Sequence, residues 1–428
     1  MSHTFAFICP VCIAEDSIVA SKCRQCGGEI KISTAGIQSQ TGTWSLDYYL
    51  SWMKKTIKIK QKQRILKLRS QDLFLTSKDP VWRVSQKAIL RQGLVKSKFR
   101  SFAGLIKRNI FLPKTRQEGV LVICAEFFYF CSSQKNFVFS LHELTCITTN
   151  GHYFEFKIKG KPYYQIHFLH ESPLKYEVLF QKWVSDFYLA RGKKIFEFQP
   201  NFRFSLPAVP REPQNIVPVK KLIPNLLQSL LRWGLLLKLK IVLKVWIKVT
   251  VIDSELLPKS DPYVMILNHQ SIFDPFVVLA FLDSKIGFLA KSTSFSNSLS
   301  RFFLYLGRAI PTTRFETDPS VIRHIQKYLE SGIPVGIFPE GERCWDGQMQ
   351  AFKYSVIRLL LKTRIPVVPV IIQGGFAFMP RWGQFPNRQK LMLHVRAPFS
   401  LVPNGNGIRD IRQWLEQHFL SVLNQTLK

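Results

Sequence analysis

Hydrophobic and polar positions change pattern several times along the chain. Residues 33–50 are small and polar, without a period, and read as a linker. From Gly119 to Leu169, short aromatic and β-branched runs alternate with turn signals at Ser132-Ser133, Asn150-Gly151 and Gly160-Lys161-Pro162. That alternation predicts a series of short antiparallel strands. Pro173–Leu189 has helical spacing, with Tyr176, Leu179, Phe180, Trp183, Val184 and Phe187 on one face. Residues 198–220 carry Pro200, Pro207, Pro210, Pro213 and Pro218, which predicts an interdomain linker.

Residues 222–246 are Leu-rich, with Arg232, Lys238, Lys240 and Lys244 spaced through them and Trp233 and Trp246 alongside. Cations set among leucines with Trp nearby suit a helix lying in a membrane interface; a core helix is the alternative. Beyond Ile247, strand-like runs at 247–252, 264–267, 286–291, 335–338, 365–372 and 391–395 alternate with helical ones, the last being 408–427. Strands alternating with helices predict a layered α/β domain. Pro369 inside the 365–372 run argues against a regular central strand there.

Charge changes the picture. Lys and Arg number 60 against 28 Asp and Glu, a net +32. A surplus of one sign calls for anionic partners: phospholipid surfaces, nucleic acid, or polyanionic substrates such as coenzyme A thioesters. The excess is dense over 54–116, where few acids precede Glu118; contact with an anionic surface is expected of that stretch, with a solvated helical face as the alternative. Met1–Thr4 lead into no basic-then-apolar signal pattern, and no run of about 18 residues is both apolar and free of charge, so neither a secretory signal nor a spanning helix is expected.

Four of the eight cysteines cluster. Cys9-x2-Cys12 and Cys23-x2-Cys26 stand ten residues apart, and Gly27-Gly28 follow. Two such knuckles suit one tetrahedral ion, with backbone N–H groups approaching the sulfurs. Disulfides or a redox pair are the alternatives. Four thiolates leave no open position, so zinc here would be structural. The segment resembles a zinc ribbon. Cys124, Cys131, Cys146 and Cys344 are scattered and suit reduced thiols in a reducing compartment.

Candidate chemistry begins where the apolar run Val264–Leu267 gives way to Asn268-His269-Gln270-Ser271. The apolar run predicts a buried strand. Asp274-Pro275 can cap and start a helix, so His269 and Asp274 flank a strand end, the usual ligand-binding end of an open α/β sheet. Three further stretches follow in order: Gly307-x2-Ile310-x3-Arg314, Phe338-Pro-Glu-Gly-Glu-Arg343, and Ile365-Pro-Val-Val-Pro369. Together they resemble the glycerol-phosphate and lysophospholipid acyltransferase family, over roughly 245–400, under half of the chain. Lys291 also matches a lysine common in that family.

The resemblance implies transfer of a fatty acyl group from an acyl-CoA or acyl carrier protein thioester to the hydroxyl of a lysophospholipid or glycerol-phosphate-type acceptor. His269 would be the general base, since a neutral imidazole titrates near working pH, and Asp274 would orient it. Gly307, Arg314, Glu340, Gly341 and Arg343 would bind the acceptor, the arginines as forks for an anionic headgroup. Three departures bear on the acceptor: Glu342 where Thr is common, Tyr354-Ser355 after Phe352-Lys353, and three residues rather than one between Ile310 and Arg314.

The expected organisation is a zinc ribbon (1–32), a basic linker or helical segment (33–95), a β-rich module resembling GRAM or pleckstrin-homology domains (96–195), a linker (196–220), and the α/β acyltransferase domain led by its interfacial helix (221–428). The chain is expected at the cytoplasmic side of a membrane, peripherally attached to an anionic surface, and not as a nucleic-acid binder. A catalytically retired lipid- or protein-binding adaptor is the other reading, prompted by Glu342 and Ser355.

Overall fold

The computed structural model describes residues 5–19, 21–58, 81–93, 95–100, 107–112, 116–209, 226–259, 262–283, 285–295, 298–313, 319–363, 365–401 and 407–425. They form two compact units, one chiefly Met1–Lys96 with Phe111–Ser205, the other chiefly Leu206–Thr312 with Asp318–Lys428.

In the first unit the cysteine knuckles lead into an antiparallel meander of Ile30–Ser33, Gly36–Ser39 and Gly42–Trp44, then a helix, Leu46–Thr56. The stretch expected as a linker is therefore folded. Its helix buries Leu46, Tyr49, Leu50 and Met53, and the Tyr49 hydroxyl donates to the Ile8 carbonyl, which ties the meander to the knuckles. Small polar residues hid this because a three-stranded meander with one packed face needs few apolar positions.

The large antiparallel sheet runs in the order Phe137–Ser140, Phe127–Ser132, Gln117–Ile123, Ala88–Gln92, Tyr163–Phe168, Tyr153–Ile158, Leu144–Asn150. Helix Pro173–Leu189 packs on its last two strands, where the Phe128, Phe156, Phe180 and Trp183 rings meet edge to face. Ala88–Gln92 lies in the middle of this sheet, so the region expected as basic and helical supplies a central strand. Ala88, Ile89 and Leu90 are the buried apolar run that its flanking charges obscured. The 196–209 part of the expected linker is also ordered: Phe196 N–H donates to the Arg203 carbonyl, and Arg203 pairs with Glu197 at 2.9 Å. Residues 59–80 of the basic segment and 210–225 of the linker lie outside the described residues.

The second unit opens with helix α1 (Leu226–Trp246). Seven strands follow: β1 (Ile247–Ile252), β2 (Val264–Leu267), β3 (Gly287–Lys291), β4 (Ile310–Thr312), β5 (Val335–Ile337), β6 (Val367–Gln373) and β7 (Gln389–Val395). Helices α2 (Asp274–Phe281), α3 (Ser298–Leu306), α4 (Pro319–Glu330), α5 (Tyr354–Thr363), α6 (Gly375–Phe378) and α7 (Ile408–Gln425) connect or flank them. The sheet order is β1-β7-β6-β2-β5-β3-β4. Strands β2 to β6 run parallel, β7 pairs antiparallel with β6, and β1 pairs parallel with β7.

The unbroken apolar run of β2 follows from its central place. Val264 and Ile266 join one core with Val367, Ile371, Ile357 and Tyr328, while Met265 and Leu267 join the opposite one with Val368, Val370, Val277 and Leu393. Alternate side chains enter opposite layers, so both must be apolar.

Pro369 stands within β6, a regular central strand, against expectation. Its carbonyl accepts from Arg396 N–H on the β7 side, just past the last paired residues, Val370 and Val395. Beyond it Val367 bridges Phe399, one residue out of the Val370–Val395 register, so the absent N–H falls at an irregularity of the ladder.

Candidate active site

Asn268 ends β2 by bracketing the neighbouring strand: its Nδ2 donates to the Ile372 carbonyl at 2.9 Å, and Ile372 N–H donates to its Oδ1 at 2.7 Å. His269 thus leaves the sheet at the carboxyl end of β2. Its ring lies on Phe338 with centroids 4.0 Å apart. Its Nδ1 is 2.9 Å from Asp274 Oδ2. The same oxygen accepts Gln270 N–H at 2.7 Å and Ser271 N–H at 2.8 Å. A carboxylate oxygen so placed accepts, so Nδ1 carries the proton and the base lone pair sits on Nε2. Asp274 is fully buried in the first turn of α2, with Phe273 as the capping residue; the aspartate side chain orders the preceding loop instead of capping its own helix.

The loop after β5 grips the His269 backbone from both sides. Glu340 Oε1 accepts His269 N–H at 2.7 Å, and Cys344 N–H donates to the His269 carbonyl at 3.0 Å. Glu340 Oε2 accepts Gln350 N–H at 2.8 Å. Burial pushes the Glu340 carboxyl up to about 8; the two N–H groups oppose this, and the Asp274 and Glu342 charges add to it. Glu340 is a buried bracket between the His269 and Gln350 backbones. Gly341 turns the chain at φ +77°, a left-handed conformation, with Lys353 packed where a Cβ would lie.

Glu342, the departure from the family pattern, is paired. Arg381 Nη1 lies 3.0 Å from its Oε2 and 2.8 Å from the Arg343 carbonyl, and the guanidinium sits 4.2 Å over the Trp345 ring. Both partners are buried. The extra carboxylate is thus held by a cation inside the loop. Arg343 itself is half-buried, and its carbonyl also accepts from Gln350 Nε2 at 3.4 Å.

The other expected residues divide. Lys291 ends β3 at the same end of the sheet as His269. Gly307 does not join the site: it closes α3, donating to the Phe303 carbonyl, and precedes β4 at the amino ends of the parallel strands. Glycine is used there because a Cβ would lie 3.1 Å from that carbonyl. Arg314 lies outside the described residues. Sequence reading missed Phe338 as the ring's platform, Gln350, Arg381, and Gly375, whose Cβ would fall 2.9 Å from Asp274 Oδ1. Phe338 stood inside the Phe338–Arg343 motif and the Gly374-Gly375 pair hinted at close packing, whereas Gln350 and Arg381 left no local signal.

In the first unit the sulfurs of Cys9, Cys12, Cys23 and Cys26 lie within 4.8 Å of one another, Cys12–Cys23 at 3.6 Å and Cys9–Cys26 at 3.9 Å. Tetrahedral zinc–thiolate bonds require sulfurs about 3.8 Å apart, so the set fits a single ion. Val11 and Gln25 N–H groups point at Cys9 and Cys23 sulfurs, both at 3.4 Å, as a thiolate site requires.

Residues 248–373 match the acyltransferase family model. The chain is 30% identical over 136 residues to the chloroplastic 1-acyl-sn-glycerol-3-phosphate acyltransferase LPAT1 of Arabidopsis thaliana, covering 31% of this chain and 38% of that one. It is 29% identical over 131 residues to the human 1-acyl-sn-glycerol-3-phosphate acyltransferase alpha, covering 30% and 46%. The crystal structure of the 1-acyl-sn-glycerophosphate acyltransferase PlsC from Thermotoga maritima aligns with 24% identity and a TM-score of 0.38, over 46% of this chain and 82% of that one. The chain thus spans less than half the length of the two curated relatives.

Proposed function

Residues 248–373 make this chain a member of the acyltransferase family, and from that premise we propose that it transfers a fatty acyl group from a thioester to the hydroxyl of a lysophospholipid or glycerol-phosphate-type acceptor. The observation that carries the reading is the His269–Asp274 hydrogen bond at the end of a fully buried strand. His269 Nε2 takes the hydroxyl proton as the acceptor oxygen bonds to the thioester carbonyl carbon. The tetrahedral intermediate collapses, the C–S bond breaks, and the imidazolium returns the proton to the leaving sulfur. Asp274 keeps Nδ1 protonated and stabilises the imidazolium. The donor is already activated, so no serine nucleophile is needed. Arg343, and Arg314 beyond the described residues, would pair with the acceptor's anionic group; Lys291 stands at the same sheet end.

Attachment to a membrane surface is part of the proposal. Helix α1 turns its apolar residues outward: Trp233 is 66% exposed, and Leu226, Leu227, Leu230 and Leu231 are exposed with it. Arg232 is buried instead, donating to the Leu306 carbonyl. A row of leucines in water suits contact with acyl chains. Among the described residues no helix is long and apolar enough to cross a membrane. The knuckle cysteines would hold structural zinc, and the β-rich unit would serve as a GRAM- or pleckstrin-homology-like docking module.

The test is acyl transfer from acyl-CoA to a lysophosphatidate with His269→Ala. Loss of the base should cut kcat by about 10²- to 10⁴-fold. A variant that keeps the wild-type rate overturns His269 as the base, whereas a wild type that is recruited to membranes but turns over no acyl thioester favours the adaptor alternative.

A further inference from the structure

The reversal of strand direction within the second unit's sheet brings another feature to the His269 end. β7 opposes β6, with Gln373 against Met392, and β1 follows β7, with Ile247 against Gln389. The amino ends of β1 and β7 therefore lie where the carboxyl ends of β2 and β6 lie. An open cleft of about 780 Å³ extends from there, between the end of α1, the start of β1 and the start of β7, to Phe281 at the far end of α2, which runs from Asp274 back toward Tyr263 before β2. Lys244, Lys248, Arg388 and Lys390 line it, and no carboxylate does among the described residues. Phe281 and Val245 add an apolar wall.

We propose that this cleft binds the phosphate-bearing nucleotide end of a coenzyme A thioester, the acyl donor for the reaction at His269. The proposal rests on the acyl-transfer reading for its purpose, although the binding itself can be measured without turnover. Coenzyme A carries a diphosphate and a 3′-phosphate; four converging cations without a counter-carboxylate match that charge, and the Phe281 wall offers a surface for the purine.

Distance separates donor from acceptor. β7 lies two strands from β2 and β1 lies three, which is about 10 Å and about 14 Å across the sheet. An acceptor's phosphate is only a few bonds from its reacting hydroxyl, so it must sit beside His269 and cannot reach the cleft. The donor's phosphates are held away from its thioester by the long pantetheine arm. Packing joins the two places: the Lys390 carbonyl fills the space beside Gly374, and Gly375 abuts Asp274 and Gln270. Two residues therefore connect the cleft's strand to the carboxylate that orients the base.

The experiment titrates the full chain with free coenzyme A and with pantetheine, comparing wild type with Lys248→Gln/Lys390→Gln and with Arg388→Gln. None of these residues belongs to the proposed catalytic machinery. The double variant should weaken coenzyme A binding about tenfold or more and leave pantetheine binding unchanged. In turnover, KM for acyl-CoA should rise by a similar factor at unchanged kcat, while acyl-pantetheine is used as before. Unchanged coenzyme A affinity overturns the proposal, as does equal weakening of both ligands. So does a wild type that binds only acyl carrier protein, or variants that lose binding to phosphatidylglycerol vesicles while keeping coenzyme A. A wild type that binds coenzyme A through these cations but transfers no acyl group keeps the cleft and sinks the acyl-transfer reading.

Discussion

Asp274 Oδ2 receives three hydrogen bonds, one from the His269 ring and two from the backbone of the loop that carries that ring. One buried carboxylate thus sets both the tautomer of His269 and the loop's shape. Glu340 fixes the same histidine from its backbone side. Its pKa of about 8, raised by burial from an ordinary 4.5, has a consequence for stability. The folded protein holds this proton across that interval while the unfolded chain has lost it. The folded state therefore binds more protons, and stability falls as pH rises from 4.5 through about 8. The slope should approach about 1.4 kcal/mol per pH unit. Denaturant unfolding from about pH 5 to about pH 9 should show this decline in wild type and a flatter profile in Glu340→Gln.

The knuckle segment shows how a short element depends on its neighbours. Its Glu15 pairs with the buried Arg83 at 2.6 Å, and its Asp16 pairs with the buried Lys175, which also meets Glu171 at 2.8 Å. If zinc shapes the knuckles, its removal frees Glu15 and Asp16, which leaves the buried Arg83 without its carboxylate and the buried Lys175 with Glu171 alone, a costly arrangement. Purified protein should contain one zinc per chain by elemental analysis. Chelation, or Cys23→Ser, should lower the thermal midpoint of the first unit by several degrees and open residues 5–58 to proteolysis. An unchanged midpoint with no bound metal would reject the zinc assignment.

At the scale of the molecule, a net +32 and an outward-facing leucine helix act together. Under the proposed attachment, charge would draw the chain to an anionic surface, and α1 would gain by inserting its apolar side chains there. Leu230→Gln/Leu231→Gln/Trp233→Gln should reduce flotation with anionic vesicles by roughly a hundredfold. The fold should be kept, because these side chains are exposed in the protein. High salt should weaken the remaining binding. Retained flotation of the triple variant would assign attachment to other surfaces.

Local order was readable in the chain. The β2 run, the Pro173–Leu189 helix, the alternation of the second unit and the paired cysteine knuckles are written in neighbouring residues, because period, turn chemistry and ligand spacing are short-range properties. The candidate base and its aspartate were legible for the same reason, lying five positions apart. The central place of Ala88–Gln92, the tolerance of Pro369 and the pairing of Glu342 with Arg381 were not. Each depends on which distant strand or side chain arrives beside it, and 39 positions separate Glu342 from its partner. The basic cleft belongs to this second group. Its cations come from two separate stretches, and they come together there only because β1 and β7 run against the other five strands. Strand direction is settled by packing across the sheet, which no local pattern encodes.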